Sequence, residues 1–296
     1  MLPGVYLNKK KDGTTLYRAS ITHGGKHISL GSFPDEQTAH RAYLEASSLF
    51  STKQPASRLL EHYKQEQQVL PFEKWVVLLN YRDNDIYIKT PIYLEHRSFL
   101  YYYSQTLRYR FDVDDLFYYS NHKIMKRGNH LFVADYGMQV NILSRYGIKN
   151  YAVPGRDFRF VNGDDTDFRY RNIEIINRYH GVTKQIVKGR EVYVTKIHVN
   201  GDFIVGRYTT ENEAAAAYNR AAMLLNEQGV TKNFPINYIE GISDIEYANL
   251  LMKVRISSKI RNFNRVNVWH KTRLICVAQT NKKDLLWTNE FWDYYF

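Results

Sequence analysis

The sequence has almost no cysteine and no long apolar run. Of its 296 residues only Cys276 is a cysteine, which argues against an internal disulfide framework and a cysteine-rich zinc site and suits a reducing compartment. No stretch approaches the roughly 18 consecutive apolar residues of a membrane-spanning helix. The opening segment, MLPGVYLNKKK, lacks the apolar core of a signal peptide. These absences predict a cytoplasmic protein with no membrane partner.

Basic residues and tyrosine are plentiful. The chain has 41 Lys and Arg against 30 Asp and Glu, a net charge of +11, and 25 Tyr. At roughly 150 residues per domain, the length predicts two or more domains. A basic, aromatic-rich chain of this kind points first to nucleic acid. A basic enzyme, or a globular protein with a solvated lysine-rich face, is the alternative.

Two segments of roughly 50 residues repeat the same order of signals. Each opens with Gly-Val, continues through strand candidates and a Gly turn to a Gly-x-aromatic ending, and then enters a helix. The first copy is 4–33 with a helix over 35–50, and the second is 181–208 with a helix over 210–229. Thr210 and Glu213 predict a capping box at the start of the second helix. The helices share a stripe of small residues spaced to face a sheet: Ala39, Ala42, Tyr43 and Ala46 match Ala214, Ala217, Tyr218 and Ala221.

The strand candidates alternate with a period of two. One face of each sheet should rest on the helix: Tyr17, Ala19 and Ile21 in the first copy, and Tyr193, Thr195 and Ile197 in the second. The other face is polar and contains cations. It is either an ordinary solvated face or one that lies in the major groove of DNA, as β-sheet DNA-binding proteins do.

The order Gly-Val, strands, Leu-Gly-x-Phe and a helix of Ala-x-x-Ala-Tyr-x-x-Ala resembles the AP2 (AP2/ERF) DNA-binding domain. In that family the sheet enters the major groove and the helix braces it from behind. The segment 230–243 is also similar to the one that follows AP2 domains in bacterial and phage proteins. Plant members have Arg and Trp at many groove positions where this chain does not, so the resemblance implies no target sequence. It implies these DNA-binding residues: Tyr6, Asn8, Lys10, Arg18, Ser20, Thr22, His27 and Ser29, then Thr183, Gln185, Lys196 and His198.

The segment 156–177 is similar to the core of HNH homing endonucleases, with Gly163 in the turn. That core has a ββα order, and its chemistry needs a His base and metal ligands. Here the base position is Phe160, the preceding ligand position is Arg159 and the middle Asn position is Phe168; only Asn172 remains. We therefore expect no catalytic residue, no metal and no cofactor.

Other residues of this segment have more modest interpretations. The acidic cluster Asp164, Asp165 and Asp167 favours turn formation over metal binding. Arg159, Arg169 and Arg171 are candidate phosphate contacts, so that the segment would clamp DNA; a purely structural scaffold is the alternative.

The sequence as a whole predicts an α+β fold in which two small domains of a three-stranded sheet plus a helix flank a degenerate HNH-like middle domain. A basic C-terminal extension contributes Lys259 and Arg261 as further DNA contacts, and its aromatic end is either packed or a contact for a host protein or a second copy. The predicted domains are 1–50, a helical linker 51–74 with a polar helix near 57–69, the middle domain 75–177 with the HNH-like core at 131–177, 178–243, and 244–296.

The functional prediction is a non-enzymatic, sequence-specific double-stranded DNA-binding protein. The resemblances favour a transcriptional regulator of phage or mobile-element origin, associated with the bacterial nucleoid. Two alternatives stay open: a metal-dependent nuclease or nickase with a non-standard site, and a DNA-tethered protein that acts on a host protein.

Overall fold

The computed structural model describes residues 1–9 and 13–263. It has an α+β fold with several small three-stranded antiparallel sheets, as the sequence predicts at this coarse level. The chain divides into two compact units, 1–176 and a second that begins at Asn177. Lys10 and the aromatic C-terminal end, residues 273–296, lie outside the described residues. Within the described part, no helix has the length and apolarity that a membrane span requires.

The first repeat forms an antiparallel sheet in the order β1 (Val5–Lys9), β2 (Thr15–His23), β3 (Lys26–Phe33), followed by α1 (Glu36–Ser51). The Asp35 side chain accepts a hydrogen bond from the Thr38 amide and so caps the helix. The predicted alanine stripe of α1 is fully buried against the core face of β2 and β3.

The next two helices belong to the same core. They are α2 (Ala56–Glu61) and α3 (Phe72–Asn84), and α3 is buried continuously from Trp75 to Tyr81. Glu45 of α1 accepts hydrogen bonds from the Trp75 indole and the Val69 amide. The predicted boundary at 74/75 is therefore wrong, since it falls inside a helix that packs on the first repeat, and the linker helix ends at Glu61 rather than near 69.

A second sheet separates two cores of the first unit. It consists of β4 (Ile92–Glu95), β5 (Ser98–Tyr102) and β6 (Arg108–Asp112). Every residue of β5 is buried. Leu100 and Tyr102 face the core of the first repeat, whereas Phe99 and Tyr101 face the core of the middle region. Packing on both faces of this strand thus accounts for Tyr101 and Tyr102, whereas Tyr103 follows the strand and is exposed.

The middle region completes the first unit with α4 (Leu116–Asn121), β7 (Ile124–Arg127), β8 (His130–Asp135), β9 (Met138–Asn141), β10 (Phe158–Phe160) and β11 (Ile173–Ile175). The ββα order implied by the HNH resemblance does not form. Asn172 lies in a single 3-10 turn, 170–172, and Ile173 begins a strand that pairs with β10.

The second unit contains β12 (Val182–Val187), β13 (Arg190–His198), β14 (Asp202–Tyr208), α5 (Glu211–Glu227), α6 (Asp244–Lys253) and α7 (Ser258–Arg261). The predicted capping box at Thr210 forms. Residues 244–263 are not an extension, because Val254, Ile256 and Ile260 are buried in the same core as the second repeat.

The two repeats share irregularities that strand alternation does not predict. Each has a bulge at the same place, opposite Ala19/Ser20 in the first and opposite Thr195/Lys196 in the second. Each also has a glycine of positive φ before its first strand, Gly4 (φ 76) and Gly181 (φ 69).

These glycines explain the Gly-Val openings. The Gly4 carbonyl accepts a hydrogen bond from the Ser20 amide at 3.0 Å, and the Gly181 carbonyl accepts one from the Lys196 amide at 2.7 Å. A Cβ at either glycine would overlap the ring of the helix tyrosine, Tyr43 or Tyr218. The glycine and the tyrosine of the repeated pattern are therefore a contacting pair.

Candidate nucleic-acid interface

We call the sheet face opposite α1 or α5 the outer face of that repeat. In the first repeat, Tyr6 pairs with Arg18 and Thr22 pairs with His27. All four side chains are exposed, and Asn8 beside them is half-buried. The predicted residues of this repeat therefore meet on one surface, apart from Lys10, which lies outside the described residues. Ser29 is exposed on the same face.

Ser20 is the exception. It lies on the outer face but is only 3% exposed, and its hydroxyl has no hydrogen-bond partner in the described structure. Its short side chain sits on the central strand at the bulge, flanked along the strand by the larger Arg18 and Thr22. Its predicted role as a DNA contact is wrong for the sheet as it stands.

The outer face of the second repeat brings together Thr183, Gln185, Lys196 and His198. The last three are exposed and Thr183 is half-buried. The His198 ring lies 2.9 Å from the Asp202 carboxylate across the hairpin. This acid faces the same side as the predicted DNA contacts, so it reduces the positive potential at that end of the sheet.

The predictions missed Arg207, which is exposed on this outer face. It pairs with Val194, and the equivalent pair in the first repeat is Arg18 with Ser32. Each sheet thus has one arginine at the same cross-strand pair, on the central strand in one repeat and on the edge strand in the other. Only the strand register, including the bulge, brings these two positions into correspondence.

The third strand of each sheet is held by a neighbouring segment. In the first unit the Lys74 ammonium donates to the Ser29 carbonyl at 3.1 Å, and burial lowers the pKa of Lys74. In the second unit the Ser257 amide donates to the bulge carbonyl of Val205 at 2.9 Å. The Tyr208 hydroxyl donates to the Arg255 carbonyl at 2.6 Å. Both edge strands are therefore fixed without involving their outer-face side chains.

The three predicted arginines of the middle region differ in availability. Arg171 is exposed. Arg159 is also exposed, although its side chain pairs with Glu174 at 2.7 Å. Arg169 is only 18% exposed and is bound to the buried Asp167 through two hydrogen bonds. Its prediction as a phosphate contact is wrong, because its guanidinium stabilises an internal carboxylate.

Asp167 and Arg169 are a structural ion pair. Burial alone would raise the pKa of Asp167, but hydrogen bonds from the Arg169 side chain and amide, and the arginine charge, hold that pKa below the ordinary value. The same pairing raises the pKa of Arg169. Asp164 accepts hydrogen bonds from the amide and hydroxyl of Thr166, as the turn interpretation predicts.

The HNH-like positions are occupied by packing groups. Phe168 is buried, stacked 5.5 Å from Phe111 and edge-on to Phe160 at 5.5 Å. Asn172 is also buried: its oxygen accepts from the Asn162 amide, and its amide group donates to the Asp164 and Asp167 carbonyls. Within the described residues no group of three or more His, Cys, Asp or Glu could hold a metal ion.

The C-terminal part of the second unit presents Lys259 and Arg261 on α7. Both are exposed, while Ile260 between them is fully buried in the core. The core contact therefore fixes the direction of the two cations.

No family model matches the chain, and no curated protein or solved structure is significantly similar to it.

Proposed function

We propose that this protein binds double-stranded DNA sequence-specifically through the outer faces of its two repeats. The observation that supports this most is the correspondence of the two sheets. They share strand order, bulge position, helix packing and one exposed arginine at an equivalent cross-strand pair. Packing against the helix would explain why the inner faces of the two sheets are alike. It does not explain why each outer face has an exposed arginine, Arg18 or Arg207, at the equivalent pair.

The geometry suits a groove-binding role. A β-sheet with a helix on one face can present the other face to the major groove. The outer faces combine cations with uncharged polar side chains such as Thr22, Thr183 and Gln185. Cations contact phosphates and position the protein, whereas polar side chains read base edges.

We propose binding without cleavage, in the role of a transcriptional regulator. Phe160 and Phe168 cannot take up a proton or bind a metal. The buried hydrogen bonds of Asn172 to the 162–167 loop use both ends of its side-chain amide. If the HNH-like segment also contacts DNA phosphates, Arg159 and Arg171 are the residues available to do so, because Arg169 is bound to Asp167.

Selection of duplexes from a random library, followed by footprinting, tests the proposal. We expect an enriched sequence, protection of two motifs, and no strand breaks with or without Mg²⁺ or Mn²⁺. Selection without enrichment would contradict sequence-specific binding. Metal-dependent nicking at a fixed position would instead establish the nuclease alternative.

A further inference from the structure

A large cavity in the first unit lies where the HNH-like segment meets the small sheet β7–β9. It has a volume of about 650 Å³, within the range of roughly 300–1,000 Å³ typical of small-molecule sites. Aromatic and aliphatic side chains form most of its wall, among them Tyr109, Leu131, Ile142, Phe158, Phe160 and Phe168.

The aromatic wall is held in place by contacts outside the cavity. Phe168 stacks on Phe111, and its carbonyl accepts a hydrogen bond from the Tyr146 hydroxyl at 2.6 Å. Phe158 is 5.8 Å from Phe160 in an edge-on pair. The hydrogen bonds of Asn172 fix the loop between these phenylalanines. The aromatic wall of the cavity is therefore supported by contacts within the protein.

Polar side chains come from three parts of the cavity wall. The β7–β8 hairpin contributes Lys126, Asn129 and His130, all exposed, the end of β9 contributes Asn141, and the loop after β10 contributes Asp165 and Thr166. The sequence between Lys123 and Ala134 contains no carboxylate, so the hairpin side is positive. A ligand with flat apolar rings would bury them against the phenylalanines and leave an anionic group beside Lys126.

From this arrangement we infer that the cavity binds a small aromatic anion, with its rings among Phe158, Phe160 and Phe168 and its acidic group at Lys126. This site is independent of the outer faces, so it can be present or absent whatever the result of the DNA experiments. Apolar burial supplies most of the binding free energy, and the lysine supplies a preference for negative charge.

Two fluorescent probes with the same rings test the inference on the full chain. They are 8-anilinonaphthalene-1-sulfonate, which is anionic, and N-phenyl-1-naphthylamine, which is neutral. We expect saturable binding of one molecule of either probe per chain. Ala152→Phe and Leu143→Phe, which add volume to the cavity wall, should each weaken both probes at least tenfold. Ala134→Phe, which adds a phenyl ring at an exposed position off the cavity, should change neither.

The charge preference has its own control. Lys126→Ala should weaken the sulfonate probe by about two- to fivefold, as expected for a solvent-accessible ion pair, and leave the neutral probe unchanged. Lys89→Ala removes an exposed lysine that does not line the cavity and should affect neither probe. Equal weakening of both probes by Lys126→Ala would overturn the anionic part of the inference.

A measurement on the unsubstituted chain protects the test against variants that misfold. Titration with the neutral probe should shift the methyl NMR signals of Leu131, Ile142 and Leu143, and leave those of Ile21 and Ile197 in place. Absence of these shifts, or probe binding that all the variants retain, would overturn the inference. Displacement of the probe by duplex with an unpaired nucleotide, but by no small aromatic acid, would contradict it too and assign the cavity to an extruded base.

Discussion

At the residue scale, several short motifs turn out to be contacts whose partner is distant in sequence. The Gly-Val opening was visible twice in the sequence, but its reason was not. Gly181 contacts a tyrosine on the following helix, and its carbonyl accepts a hydrogen bond from the central strand. The burial of Ser20 and the internal ion pair of Arg169 could not be predicted from the sequence either. An alternating pattern shows which face a side chain lies on, but it does not show how much of that side chain its neighbours cover.

The second repeat contains a matched pair of glycines that separates backbone strain from steric overlap. Gly181 and Gly189 both have positive φ, 69 and 74, but only at Gly181 would a Cβ meet other atoms. A left-handed conformation costs a non-glycine residue about 1–2 kcal/mol. Gly189→Ala should lower the free energy of unfolding by about that amount, and Gly181→Ala by clearly more, about 3 kcal/mol or above.

Hydrogen–deuterium exchange of peptides from 182–227, combined with chemical denaturation, measures both effects in the second unit. Equal destabilisation by the two variants would show that the contacts of Gly181 with the Lys196 carbonyl and the Tyr218 ring are not tight.

At the element scale, sequence periodicity was sufficient for the sheets and helices of the repeats and insufficient elsewhere. The stripe of Ala39, Ala42 and Ala46 predicts a helix on a sheet, and the helix is there. The bulges were not predicted, because a one-residue slip has no signature in residue type. The pair Val194–Arg207 is equivalent to the pair Arg18–Ser32, but this equivalence can be recognised only when the position of the bulge is known. The predicted DNA contacts therefore did not include Arg207. The motif in the HNH-like segment did not predict its local structure, for a different reason. Asn172 has the residue type that the motif requires, but its side chain accepts a hydrogen bond from the backbone of the 162–167 loop.

The outer faces can be tested through the salt dependence of DNA affinity. Each phosphate contact contributes about 0.9 to the slope of log K against log salt. Arg18→Ala and Arg207→Ala should therefore each reduce the slope by about that amount. Arg41→Ala removes an exposed arginine from the side of α1 that faces away from the sheet, and it should leave the slope unchanged. If the Arg41 variant changes the slope as much as the other two, the outer faces are not the DNA-binding surfaces.

At the scale of the whole molecule, the chain is two units rather than the five predicted segments. The two repeats could be predicted from the sequence, but the segments that pack against them could not. The helix α3 completes the core of the first repeat, and residues 244–263 complete the core of the second. Composition obscured both, because α3 begins a tyrosine-rich stretch and 244–263 is rich in basic residues. The positive charge of 253–261 is arranged around buried Val254, Ile256 and Ile260.

If both repeats bind DNA, as proposed, their linkage in one chain alone should raise the affinity for DNA that contains both motifs. A second site held nearby can raise overall affinity by roughly 10²- to 10⁴-fold over a single site. Arg18→Glu and Arg207→Glu should each abolish protection of a different motif in a footprint, and each should lower affinity towards the single-site value. Arg41→Glu should preserve both motifs. Loss of the same motif in both variants would mean that the two sheets do not act as separate DNA-binding elements.

The strand β5, buried on both faces, has a consequence for how the first unit comes apart. Because its alternate side chains complete two different cores, melting either core removes the support of one face of the strand and weakens the other. We therefore expect 1–176, which is one compact unit, to unfold as one cooperative unit. The first repeat is thus a separate unit in its sequence pattern, but we expect that it does not unfold separately from the rest of 1–176.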